Sequence, residues 1–159
     1  MSKAEMMTAL TQAEKMTALT QAVRGVFNRL KALGDQLHGD LEITTAMRAV
    51  METLSAAGPM TVPQIAKHKG VTRQHIQLLA DALTEAGLAV VKENPAHRRS
   101  SLIALTEKGK RAFAKMRARE APVIEEIAWE FDAQELERAA GVLNRLAARL
   151  DERLKETGE

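Results

Sequence analysis

The stretch from Thr61 to Gly87 constrains the fold more than any other. It reads "TVPQIAKHKGVTRQHIQLLADALTEAG". Thr61 followed three residues later by Gln64 is a capping box, and Pro63 fits the first turn of a helix. Ile65 and Ala66 supply the buried side of that short helix, which Gly70 stops. Only Val71 then precedes Thr72, an N-cap for a second helix that runs to Gly87. Two short helices joined by a three- or four-residue turn containing Gly make a helix-turn-helix.

Two apolar, partly β-branched runs follow at once, "LAVVKE" and "SSLIALT", separated by "NPAHRR". Asn-Pro starts turns, so the pair is expected to form a hairpin. A helix-turn-helix followed by a two-stranded hairpin is a winged helix arrangement. The expected class is therefore mainly α (α+β): a winged helix-turn-helix core, a two-stranded wing and flanking helices.

The flanks are helical by pattern. Leu19, Val23, Val26, Phe27, Leu30, Leu33 and Leu37 keep helical spacing from about Ala18 to Leu37. Ahead of them "MTALTQA" occurs at 7–13 and again at 16–22. The nine-residue offset puts the copies on opposite helix faces, so this is no repeat architecture. It is a local tandem duplication that lengthens a helix, or an addition made in cloning. A second helix is expected from Thr44 or Thr45 to Ala56, stopped by Gly58 and Pro59. After the hairpin, Thr106 caps a long helix to about Ile127, which Pro122 is expected to kink or divide. Asp132 with Glu135 opens a last helix whose apolar stripe is Leu136, Ala139, Leu143, Leu146, Leu150 and Leu154. The expected division is 1–57 for N-terminal helices, 58–109 for the winged helix lobe and 110–159 for C-terminal helices.

Composition narrows the classes. In 159 residues, 45% hydrophobic and 28% charged is a globular balance, and no uncharged apolar run approaches the ~18 residues a membrane span needs. The N-terminus has no apolar core segment of the kind a signal peptide carries. Cysteine is absent, which excludes a disulfide scaffold, a thiol nucleophile and a Cys-ligated zinc, and fits a cytoplasmic setting. Net charge is only +2, but its distribution is uneven. Residues 60–119 hold 12 Lys and Arg against 4 Asp and Glu; the rest hold 11 against 17. Such a basic middle between acidic arms suggests a lobe that binds a polyanion, with a chance surface fluctuation as the bland alternative.

The second helix of the pair sorts by face. Ile76, Leu79, Ala80 and Leu83 should be buried. Thr72, Arg73, Gln74 and Gln77 offer hydrogen-bonding groups on another side, near a helix N-terminus that favours phosphate. An ordinary solvated polar face would look the same on this helix alone. The hairpin beside it favours recognition, because Arg98 and Arg99 at its tip would lie beside an adjacent minor groove. Thr61, His75 and His97 complete the candidate DNA-contacting set, His75 as a phosphate or backing group. His38, His68, His75 and His97 lack the spacing of a helical metal site. No catalytic triad, carboxylate pair or Gly-rich phosphate loop stands out, so neither an enzyme nor a cofactor is expected. The Met residues read as core filler or as adaptable lining of a ligand pocket.

The stretch "TVPQIAKHKGVTRQHIQLLADALTEAGLAVVKENPAHRRSSLIALTEKG" resembles the winged helix core of the MarR family of bacterial transcription regulators. The likeness is close over 60–109; the flanking helices fit in length and order. The family's wing pattern is an acidic residue, any residue, Arg, then a strand ending in Leu-Thr with a Gly three later. Arg99 falls on the wing Arg, which the family places in the minor groove. His97 stands where the family has the Asp that helps hold that Arg, and Leu78 where relatives often carry a basic residue. The resemblance implies a homodimer joined through the first and last helices, with Leu19, Val23, Leu136, Leu143, Leu146 and Leu150 as candidate dimerisation residues. An intramolecular helical core is the alternative use of those stripes. It also implies control by a small aromatic or phenolic effector. The expected function is a double-stranded DNA-binding regulator, a repressor on a near-palindromic operator. The alternative is a winged helix interaction module whose basic face meets an acidic protein.

Overall fold

Thr11 begins the first helix, seven residues ahead of Ala18, because it forms a capping box with Glu14. Thr11 N donates to Glu14 Oε2 at 2.7 Å, and Glu14 N donates to Thr11 Oγ1 at 3.2 Å. The bond from Thr11 N, with a second from Thr11 Oγ1 to Glu14 Oε2 at 2.9 Å, holds the Glu14 carboxyl below its usual range. The computed structural model describes residues 11–97 and 99–156. Arg98, and most of the first copy of the duplicated heptapeptide, lie outside them.

The chain forms two compact units that meet between Thr45 and Ala46. The first contains α1 (Gln12–His38), then a 3-10 turn (Gly39–Leu41). Thr45 Oγ1 donates to Asp35 Oδ1 at 3.2 Å within this unit.

The second unit runs α2 (Thr45–Ala57), β1 (Met60–Thr61), α3 (Val62–Lys69), α4 (Arg73–Glu85), β2 (Ala89–Lys92), β3 (Leu102–Leu105), α5 (Glu107–Ala128) and α6 (Ala133–Glu156). The expected hairpin is present: Val91 pairs with Ile103 and Lys92 with Leu102, antiparallel. A third strand was not expected. Met60 and Thr61 pair with Ile103 and Leu102 on the other side of β3, giving the order β1-β3-β2. Two residues are too few to show alternation, so this strand has no signature of its own.

The core of this unit comes from every element but the last. Val50, Met51 and Leu54 of α2, Ile65 of α3, Ile76 and Leu83 of α4, Leu88, Ile103, and Phe113 and Met116 of α5 are buried. Arg48 ties α2 to α5: its Nε donates to Glu120 Oε1 at 2.7 Å while Nη2 bonds Oε2, and its guanidinium lies 5.9 Å from the Phe113 ring centre. Such a bidentate pair, half-screened from water, has the geometry an exposed ion pair lacks.

Pro122 does not divide α5. It and Ala118, whose carbonyl loses the N–H donor four residues ahead, are both exposed, so water can take the freed bond. Asp132 and Glu135 cap α6 as expected, with Asp132 N donating to Glu135 Oε2 at 3.2 Å. No described helix is long and apolar enough to cross a membrane.

Gly109 marks the tightest approach at any described glycine. A Cβ there would sit 2.0 Å from the Leu88 carbonyl oxygen. Backbone cannot yield as a flexible side chain can, so Gly109→Ala must push α5 off the sheet. A loss of about 1–3 kcal/mol is expected, read as a lowered urea midpoint. An unchanged midpoint would contradict this packing.

Candidate nucleic-acid interface

The turn between α3 and α4 is built by Gly70. Its φ of 65° is left-handed, and it lets Val71 N donate back to Ala66 O at 3.1 Å and Gly70 N to Lys67 O. That is the Schellman arrangement, which satisfies the last carbonyls of α3 and turns the chain at once into α4. Thr72 then caps α4, its hydroxyl accepting from His75 N at 3.2 Å. The apolar side of α4 is buried through Ile76, Ala80 and Leu83, with Leu79 half-buried. This rotation leaves Arg73, Gln74, Gln77 and Leu78 exposed.

The wing is held at its base and folded at its tip. Thr106 Oγ1 donates to Gly87 O at 2.7 Å, and Thr106 N donates to Leu88 O at 3.0 Å. At the tip, Asn94 Oδ1 accepts from Ala96 N at 3.1 Å, so the Asn-Pro signal becomes an Asx turn. Ser100 N donates to His97 O at 3.0 Å, closing the loop before β3.

Helix and wing face a common concavity of about 510 Å3. Arg73, Gln74 and Gln77 line it from α4, and Arg99, Ser100 and Ser101 from the wing; Val62, Val91 and Ile103 are among its apolar lining. Four of the candidate residues named from sequence therefore meet in one place. Thr72 sits at the N-terminus of α4 as a cap. His75 and His97 are exposed but are not among the lining residues. Thr61 requires a correction: it is only 7% exposed, paired into the sheet through β1 and engaged with Gln64. Strand pairing of its backbone and capping of Gln64 N by its hydroxyl withdraw its side chain from the surface.

Two features escaped the sequence reading. Gln77 Nε2 donates to Asp81 Oδ1 at 2.8 Å, a pairing that i,i+4 spacing could have flagged. Ser100 and Ser101 join the concavity because β3 begins only at Leu102. Among the described residues no group of three or more His, Cys, Asp or Glu could hold a metal.

The dimerisation candidates fall on surfaces. Leu19 and Leu146 are half-buried, while Val23, Leu136, Leu143 and Leu150 are exposed, Leu150 at 53%. Val26, Phe27 and Leu30 of α1 are exposed as well. No described residue of α6 is buried.

An α3–turn–α4 pair followed by a wing defines a winged helix-turn-helix protein. No family model matches the chain. Uncharacterised proteins of Mycobacterium tuberculosis and Mycobacterium bovis are 38% identical over 91 residues, 57% of this chain. The match spans 64% of those relatives' length. Solved structures cover far more. A MarR family transcription regulator, SP03579, is 26% identical with a TM-score of 0.74, over 91% of this chain and 96% of its own. A variant of MarR from E. coli, complexed with operator DNA, is 19% identical with a TM-score of 0.72, over 86% and 99%. BpsR of Bordetella bronchiseptica, whose DNA binding is regulated by 6-hydroxynicotinic acid, is 20% identical with a TM-score of 0.69, over 80% and 91%. The chain has the MarR-type winged helix fold, shared with SP03579, a MarR family transcription regulator.

The Thr72 cap gives a direct check on how α4 is positioned. Thr72→Ala should lower stability by about 1 kcal/mol and Thr72→Ser should restore most of it, measured by urea unfolding. Equal stability of the Ala variant would mean that the capping bond contributes nothing.

Proposed function

We propose that this chain is a double-stranded DNA-binding transcription regulator that acts in the cytoplasm as a homodimer, repressing from a near-palindromic operator. The observation that carries the reading is the shared concavity of Arg73, Gln74 and Gln77 on α4 with Arg99 on the wing. Three side chains that can hydrogen-bond base edges lie beside a guanidinium suited to a narrow minor groove. The fold neighbour solved with operator DNA supports the same use of the fold.

In this reading residues 1–57 and 110–159 serve dimerisation and 58–109 contact DNA. The exposed apolar positions of α1 and, separately, of α6 favour a second copy as their cover. A two-fold dimer would present two copies of α4 about 34–36 Å apart, one duplex turn. Seated on a promoter, it excludes polymerase. Release by a small aromatic or phenolic acid is the proposed control, by analogy with the regulation of BpsR. Such a ligand must favour a helix spacing that misfits the operator; about 1.4 kcal/mol of differential affinity changes occupancy tenfold.

The primary test is selection of bound sequences from a random duplex pool, followed by titration at several salt concentrations. A palindromic winner with affinity falling steeply in salt supports the proposal. Binding to an acidic protein without any preferred duplex would replace it with the interaction-module reading. Arg99→Ala should weaken operator binding by about 1–3 kcal/mol per wing, chiefly where A·T pairs flank the half-site; a gel-shift titration showing wild-type affinity would remove the wing from the interface. Gln74→Ala should relax base preference more than it lowers nonspecific affinity. Intact preference across a set of mismatched operators would show that Gln74 does not read bases.

A further inference from the structure

We infer that Asp81 is a positioning residue for base reading, holding the Gln77 amide in the orientation that matches an adenine edge. This rests on the DNA-reading function proposed above. Gln77 Nε2 donates to Asp81 Oδ1 at 2.8 Å along one face of α4. A carboxylate only accepts, so the amide end that faces it is the NH2. Turning the amide over would set Gln77 Oε1 against the carboxylate, acceptor to acceptor. One N–H is thereby engaged, and the second N–H remains beside Oε1 for an outside partner.

Gln77 lines the concavity between helix and wing, and Asp81 does not. Asp81 therefore acts through Gln77 instead of touching what binds there. In the major groove adenine presents an acceptor, N7, next to a donor, the N6 amino group; this matches an N–H beside a carbonyl. Guanine presents two acceptors, N7 and O6, and its O6 would meet Gln77 Oε1 unfavourably. An unrestrained glutamine can offer guanine its NH2 alone, and the carboxylate removes that freedom. In water such an i,i+4 contact adds little to the helix. Inside a groove emptied of solvent, the competing water is gone and the orientation is enforced. A negative charge one turn along the reading helix also repels phosphate, so the device trades general affinity for discrimination.

The test uses the full chain and the duplex selected from the random pool, with each half-site position changed to every other base pair. Wild type should favour adenine at one half-site position by about tenfold. Asp81→Leu, similar in size but unable to accept, should cut that preference about fivefold and leave other positions unaltered. Asp81→Asn keeps an acceptor oxygen and should restore the preference, though both variants lose the charge. Gln77→Ala combined with Asp81→Leu should flatten that position no further than Gln77→Ala alone. Asp81 is exposed, and circular dichroism of each variant verifies an intact helix content. If Asp81→Leu and Asp81→Asn both raise affinity for every duplex equally and leave the preference intact, Asp81 is only a charge and the inference fails. If wild type selects no duplex, the DNA-reading function fails and takes the inference with it.

Discussion

The peptide group of Leu88 is where α4, the wing and α5 are fixed to one another. Leu88 N donates to Leu83 O at 2.8 Å and so ends α4. Its carbonyl accepts from Thr106 N at 3.0 Å and so closes the base of the hairpin. The same oxygen fills the space above Gly109, which lets the first turn of α5 lie directly on it. Thr106 joins both sides: its hydroxyl donates to Gly87 O and accepts from Gly109 N at 3.0 Å. Three directions in the fold are thus referred to one buried residue. A wing anchored only at its tip would wander relative to α4. Anchored here, its base is fixed one residue beyond the glycine that ends the helix, and Arg99 and Gln77 keep a common concavity.

Much of this was legible because the chain punctuates itself. Thr11, Thr61, Thr72 and Thr106 cap helices, and Gly58, Gly70 and Gly87 follow helix ends with left-handed φ. Those residue types act locally, and local rules survive without knowledge of the fold. The failures all involve partners distant in sequence or a choice made by solvent. β1 exists only because β3 has a free edge for Met60 and Thr61. Of the two outcomes expected at Pro122, division does not occur, because its surroundings are wet, which periodicity does not report. Thr61 was named as a DNA contact, and strand pairing buries it. The ion pair of Arg48 with Glu120 spans 72 residues and has no sequence signature.

The apolar stripe of α6 was also legible, but not its environment. Within the second unit the core is complete from α2 to α5 and the sheet, and α6 contributes no buried residue to it. Leu136, Leu143, Leu150 and Leu154 are therefore not needed to close that core. The turn before α6 adds Phe131 and Trp129, the latter 89% exposed. In a chain with only 3% aromatic residues, leaving the sole Trp in water is expensive. A helix whose apolar face is unused by its own fold is well suited to a two-fold contact, since one surface then meets its own copy.

Charge divides the labour within the proposed complex. Along α4 the charged residues are Arg73, Asp81 and Glu85, so the reading helix itself carries more acid than base. Attraction to phosphate must then come chiefly from its N-terminal amides and from cations outside it, Arg99 on the wing and Lys67 and Lys69 at the end of α3 among them. Leu78, 63% exposed on the outward side of α4, continues this pattern, since a basic residue there would add a phosphate contact without sequence information. A helix that contributes little general attraction holds DNA weakly wherever the Gln74 and Gln77 amides and Arg73 find no matching base edges. The placement of cations around α4 instead of along it therefore favours discrimination between sequences over strength on any one of them.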